Sequence, residues 1–185
     1  KDLEDNHGHG THIAGMVLYG PNGKDKVCAQ VEIYSCKFYK PDIHKTSNCF
    51  KAAKNMGIDF VNFSGGGQLE DVEESEAIKD YPGIAIVAVG NEDVNPEGRL
   101  VKPAWDISKE PYYPASLNYP NMRIVGNGYS QDRRSHSSNY GLPGMFWRDG
   151  DRIWSFDKDV GRKQMSGSSQ ATAIYTHELL QAQCQ

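Results

Sequence analysis

Apolar residues along the chain come in short runs separated by glycine- and proline-containing turns, and the runs follow two different periods. Residues 31–38 (VEIYSCKF) alternate apolar and polar side chains for most of their length, the period-two signature of a strand. Residues 58–63 (IDFVNF) read as a second strand. Residues 84–89 (IAIVAV) are apolar throughout and too short for an amphipathic helix, which predicts a central strand covered on both faces of a parallel sheet. Short strands are expected again at 122–126 and 152–156. Helices are expected at 10–19 after a glycine-rich turn, at 46–56 with a Thr or Ser to cap it and Gly57 to stop it, at the acidic 70–79, and at 170–183, rich in Ala, Leu, Glu and Gln. Gly20, Pro21, Asn22 and Gly23 make a turn, while Pro96, Pro103, Pro111 and Pro114 make 91–119 a loop-rich connection. Strands alternating with helices imply right-handed crossovers and an α/β fold, an open parallel sheet with helices on its faces.

The 185 residues fit one domain, and 20 Lys plus Arg against 24 Asp plus Glu leave a formal charge of −4. That balance supplies no basic field to neutralise phosphates, which excludes nucleic acid as the main partner. The longest apolar run, 84–89, falls far short of the roughly 18 residues of a membrane span. Cys28, Cys36, Cys49 and Cys184 contain no C-x-x-C spacing and so no cysteine metal site; their even number permits disulfides as well as free thiols. Lys1 stands where a natural start carries Met, and no signal-peptide pattern follows it, so the chain is expected to begin partway through a longer product.

Three glycine-flanked regions sit where a strand ends or a helix begins, the positions from which open parallel sheets build their binding crevices. They are residues 7–15 (HGHGTHIAG), residues 62–67 (NFSGGG) together with 87–92 (VAVGNE), and residues 165–173 (MSGSSQATA). Singly, each has an ordinary explanation. A serine ahead of a helix caps it, Gly90 and Asn91 make a turn, Ser64, Gly65 and Gly66 make a loop, and His7, His9 and His12 form a surface cluster or a metal site.

In this order and at these separations they resemble the catalytic domain of the subtilisin-like serine proteases, the subtilases. HGTHIAG at 9–15 is similar to that family's histidine motif, SGGG at 64–67 to its substrate-binding edge strand, VAVGN at 87–91 to its oxyanion motif and GSSQATA at 167–173 to its serine motif. Ser64, Asn91 and Ser169 follow His9 by 55, 82 and 160 residues, and YYPASLNYPNMRIVGNG at 112–128 and SSNYG at 137–141 are placed as in the family. The resemblance implies a three-layer sandwich with a mostly parallel central sheet, and a serine endopeptidase that hydrolyses peptide bonds through an acyl-enzyme intermediate. It assigns Ser169 as nucleophile, His9 as general base and Asn91 as oxyanion donor. It makes Ser64, Gly65, Gly66, Ala88, Val89 and Gly90 a channel in which an extended substrate pairs with exposed backbone. The glycines and Ala88 leave room there for a sizeable substrate side chain. His12 is a structural neighbour on the helix of His9, and His7 has no role. By the same resemblance catalysis requires no cofactor or metal, structural calcium is allowed, the partners are polypeptide substrates and a propeptide or inhibitor, and a secreted or extracellular location is favoured.

The family carries its triad carboxylate on a strand well ahead of the histidine motif, whereas eight residues precede His9 and 16 follow Ser169. Asp2 and Asp5 have no strand before them and are set aside as triad members. The expectation is a single domain over 1–185 that is a fragment, without the Asp-bearing strand and without the C-terminal strand and helix. Gln170 and Ala173 stand where the family commonly has Met and Pro. Two other readings stay open. One is a degenerate or inactive subtilase-like peptide-binding protein lacking the triad Asp. The other is a metal-dependent protein built on His7, His9 and His12, for which no carboxylate or cysteine stands at a typical ligand spacing.

Overall fold

The computed structural model describes residues 4–21, 23–37 and 45–184. Its elements begin with helices α1 (His9–Tyr19) and α2 (Thr46–Met56), strand β1 (Phe60–Phe63) and helix α3 (Val72–Lys79). Strands β2 (Ile84–Ala88), β3 (Asp93–Val94) and β4 (Leu100–Lys102) follow, then a single 3-10 turn at Ala115–Leu117. Strands β5 (Met122–Asn127), β6 (Phe146–Arg148), β7 (Ile153–Phe156) and β8 (Arg162–Met165) lead into helix α4 (Ser168–Gln183). Four strands form one parallel sheet in the order β1-β2-β5-β6, while β3-β4 and β7-β8 are separate antiparallel pairs. No helix among the described residues is long and apolar enough to cross a membrane.

The apolar run at 84–89 forms the inner strand β2 because both of its faces are covered. Ala85, Val87 and Val89 pack with Phe50 and Ala53 of α2 and with Ala77 and Ile78 of α3. Ile86 faces the other way, into a cluster with Val125 of β5 and Ala171 and Tyr175 of α4. On that second face α1 joins α4, with Ile13, Met16 and Val17 against Ala173 and Ile174. The architecture is the three-layer α/β sandwich expected. At about 1.5–3 kcal/mol for each Val or Ile fully removed from water, Ile86, Val87 and Val89, all 0% exposed, anchor the sheet.

Element ends follow local chemistry. α2 has the predicted bounds, and Gly57 closes it in the left-handed conformation with its N–H on the carbonyls of Ala53 and Lys54. Ile58 N also returns to Ala53 O (3.0 Å), which keeps Ile58 out of the sheet and delays β1 to Phe60. α3 starts at Val72 because the Asp71 carboxylate caps it, accepting from Glu74 N, with Glu73 and Glu74 in the favourable first turn.

One expected strand is not formed. Residues 31–37 run without ladder partners, and Ile33 and Tyr34 are 39% and 57% exposed, so their alternation has no sheet to face. Phe38, which ends that prediction, and Asn22 of the predicted turn lie outside the described residues. Conversely, β3, β4, β6 and β8 fall outside the predicted strands. The first three have only two or three residues each, and β8 (RKQM) is polar and mostly exposed, so none carries an apolar pattern.

All four cysteines are paired, Cys28 with Cys184 and Cys36 with Cys49. The first bond spans 156 residues of sequence and joins the segment after α1 to the end of α4. In the chain-entropy picture a closure of that length destabilises the unfolded chain by about 5 kcal/mol. It links the two helices whose first turns carry the candidate site.

Candidate active site

His9, Asn91 and Ser169 line one cleft of about 150 Å³. The topology explains their meeting. Ser64 follows the carboxyl end of β1, Asn91 lies three residues past the end of β2, His9 opens α1 and Ser169 is in the first turn of α4. Two strand ends and two helix starts thus face the same crevice. Of the predicted channel residues, Ser64, Gly65, Gly66, Ala88 and Gly90 line the cleft. Val89 does not. The alternation of β2 continues through it, so its side chain is fully buried with Ala85 and Val87 in the core.

Hydrogen bonds tie these elements together. Ser169 Oγ donates to Ser64 O (3.2 Å), and Ser64 Oγ donates back to Ser169 O (3.1 Å) while accepting from Asn62 Nδ2 (3.0 Å). Asn62 Oδ1 accepts from Thr176 Oγ1 of α4 (2.9 Å). The Ser169 hydroxyl is therefore held on Ser64 O rather than on His9. Asn91 Oδ1 accepts from Ser168 N (2.9 Å), which assigns the amide orientation and leaves Nδ2 as the end turned from Ser168. Ser168 Oγ, fully buried at the cleft, has no hydrogen-bond partner among the described residues. The positive end of the 16-residue α4 favours negative charge at this point.

Burial holds His9 below the ordinary imidazole range; the charges of His7 and His12 push the same way, and Asp5 pulls it up. Asp5 does not act as a partner to the His9 ring. Its Oδ1 accepts from His7 N (3.0 Å) and Gly8 N (2.8 Å), and its Oδ2 from the N–H (2.8 Å) and hydroxyl (2.7 Å) of Thr11. Partial burial opposes its ionisation, but the donors of Gly8, Thr11 and His7 outweigh it and hold the carboxyl well below the usual carboxylate range. Asp5 thus stays negative wherever His9 titrates.

His12 is lowered by burial, so its ring is neutral at pH 7. Nε2 faces the carbonyls of Ile153 (3.2 Å) and Lys163 (3.1 Å), which puts the proton there, and Nδ1 is buried without a hydrogen-bond partner among the described residues. The His12 ring is committed to the β7-β8 hairpin, while the rings of His7 and His9 meet at a centroid distance of 6.3 Å. Among the described residues no group of three or more His, Cys, Asp or Glu is arranged to hold a metal ion.

A depressed imidazole keeps its proton-accepting form below the ordinary midpoint of about 6.5. Asp5→Asn removes the negative charge that raises His9, so the His9 titration is expected to move to still lower pH. An NMR titration of the His9 ring in both proteins checks this, and a midpoint that rises in the variant contradicts the coupling.

Two cleft residues, Ser168 and Tyr112, and Asn62 behind Ser64 carry no role from the sequence. Asn62 and Ser168 stand inside the glycine-flanked motifs, where their closeness to the site was readable. Tyr112 reaches the cleft from the loop-rich 91–119 stretch; it opens the YYPASLNYPNMRIVGNG run, which marks the segment but gives the ring no role.

The family model described as the subtilase family matches residues 1–183. The chain belongs to the subtilase family. This subtilase is 29% identical over 186 residues to the alkaline serine exoprotease A of Vibrio alginolyticus, across 92% of its own chain and 30% of that relative. It is 30% identical over 178 residues to a subtilisin-like protease of Coccidioides posadasii (strain C735), across 90% of its own chain and 41% of that relative. The subtilase therefore spans less than half the length of these two curated relatives. Among solved structures, a cold-adapted subtilisin-like serine proteinase superposes with a TM-score of 0.66 at 26% identity, over 97% of the subtilase and 62% of that chain.

Proposed function

We propose that the protein is a serine endopeptidase that works through an acyl-enzyme intermediate, with Ser169 as nucleophile, His9 as general base and Asn91 as oxyanion donor. The observation that carries this reading is the convergence of the three side chains on one cleft at the start of α4. Ser169 Oγ attacks the carbonyl carbon of the scissile bond and gives its proton to His9, and the oxygen that becomes negative is met by Asn91 Nδ2 and first-turn N–H groups. The imidazolium protonates the leaving amine, the C–N bond breaks, and the acyl group stays on Ser169. Water, deprotonated by His9, then releases it as the acid. A neutral His9, kept so by burial, is the form this step needs.

Before attack the hydroxyl must turn from Ser64 O to His9; catalytic hydrogen bonds are commonly slack before substrate binds. The carboxylate that orients His9 is assigned to a residue other than Asp5, whose oxygens already serve four donors. Polypeptide substrates lie extended along residues 64–66, and a propeptide or inhibitor would occupy the same channel. Two disulfides suit an oxidising compartment, so an extracellular location belongs to this proposal.

Reaction with a fluorophosphonate probe tests the reading. Stoichiometric labelling that is lost in Ser169→Ala is the expected result. A folded protein that takes no label would instead be a subtilase-like peptide-binding protein without efficient hydrolysis.

A further inference from the structure

The small residues of the channel predict room for a sizeable substrate side chain, but Tyr112 fills that room from the far side. A Cβ built on Gly66 would lie 2.6 Å from Tyr112 Cε1, and one built on Gly90 would lie 2.6 Å from the same atom. One edge of one ring therefore touches both glycine walls. The same ring lines the cleft that holds His9, Asn91 and Ser169.

The ring is packed in place. Tyr112 N donates to Ser116 Oγ (2.9 Å), and Tyr112 O accepts from Ser116 N (2.9 Å). It meets Trp105 in an edge-to-face contact with centroids 5.9 Å apart, and Trp105 is 8% exposed with its indole N–H donating to Glu110 O (2.8 Å). The next residue, Tyr113, is bridged to Gly67 by two backbone hydrogen bonds of 2.9 and 2.7 Å. Tyr112 thus rests against the main core between anchored neighbours rather than hanging over the cleft on a free loop.

We propose that Tyr112 is the specificity-determining residue of this cleft, restricting the substrate side chain seated between residues 64–66 and 88–90 to Gly, Ala or Ser. This rests on reading the cleft as a peptidase site. A substrate bonded to the exposed backbone drops the side chain before its scissile carbonyl into the gap between the two glycine walls. With an aromatic ring across that gap, a methyl or hydroxymethyl group fits. Phe, Leu or Lys must push the ring off Trp105 or spread walls that are packed like any protein interior. The whole cleft offers about 150 Å³, against roughly 300–1,000 Å³ for ordinary ligand pockets.

The test compares N-acylated tetrapeptides that differ only in a last residue of Ala or Phe. As anilides they report kcat/KM; as free acids they report binding to the Ser169→Ala variant, in which catalysis plays no part. Ala is expected to be favoured over Phe by at least about 100-fold in both measurements. Tyr112→Gly should abolish or reverse the preference and Tyr112→Val should give an intermediate ratio, with thermal melting reporting the fold of each. The ratio in the protein with Tyr112 intact stands even where a variant fails to fold. Equal or better use of Phe with Tyr112 present overturns the proposal, as does failure of both acids to bind. Selective binding of the Ala acid without turnover of its anilide upholds the specificity and counts against the catalytic reading alone.

Discussion

In a protein that also carries the carboxylate orienting His9, replacing Ser169 by alanine is expected to lower kcat by on the order of 10⁶, and adding His9→Ala to that variant is expected to cost almost nothing more. The magnitude is the one known for subtilisin, a protein of the family to which this chain belongs. The non-additivity follows from the chemistry. A general base has a task only while a hydroxyl has a proton to give, so once Oγ is gone the imidazole accelerates nothing. The fold should tolerate the change. Ser169 Oγ makes one neutral hydrogen bond, to Ser64 O, and a bond of that kind is worth about 0.5–1.5 kcal/mol net. Ser64 Oγ keeps its own bond to the Ser169 carbonyl, which alanine retains. Turnover of one peptide by the two single variants and the double variant is the measurement. A double variant slower than either single one by several orders of magnitude would mean that His9 acts independently of Ser169, as a reading built on a histidine cluster requires.

What could be read from the sequence was whatever has a local cause. β2 declared itself because a strand covered on both faces carries apolar residues at every position, and 84–89 does. α2 was readable to the residue because Gly57 stops it through its own backbone geometry. The cleft was readable in outline because strand ends and helix starts in a parallel sheet share one edge, so the glycine-flanked regions carrying His9, Asn91 and Ser169 could meet in space, as they do.

The remainder depends on partners distant in sequence. Residues 31–37 alternate like a strand, yet pairing needs a neighbour that alternation cannot reveal, and Ile33 and Tyr34 face solvent. Val89 sits inside a cleft motif, but the sheet's two-residue period turns it into the core. Four cysteines allow three pairings, and only the packing of the segment after α1 against the end of α4 selects Cys28 with Cys184. Tyr112 is the most consequential case. Its neighbour Tyr113 has the same side chain, and only the tertiary path of the 91–119 stretch sets ring 112 between Gly66 and Gly90.

Asn91 offers the second large effect, and the two substitutions that probe it are expected to differ. Asn91→Ala removes the side-chain donor and should lower kcat by about 10²–10³, equivalent to about 2.7–4 kcal/mol, a range again taken from subtilisin. KM should hardly move, because the oxygen becomes fully negative only in the transition state. Asn91→Asp keeps the acceptor that Ser168 N uses at 2.9 Å, so the side chain stays where it is, and a carboxylate beside the N-terminus of α4 is electrostatically welcome there. Thermal stability should therefore be preserved or rise. Activity should fall further than in the alanine variant, because a negative group now faces the oxygen that turns negative. At a separation of about 4 Å and an effective dielectric constant of about 20, that repulsion is about 4 kcal/mol, or roughly another 10³ in rate. The signature is thus a variant at least as stable as the parent and far less active than Asn91→Ala. A rise in KM at constant kcat in Asn91→Ala would make the residue a binding contact, and an aspartate variant as active as the alanine one would remove Asn91 from the oxyanion site.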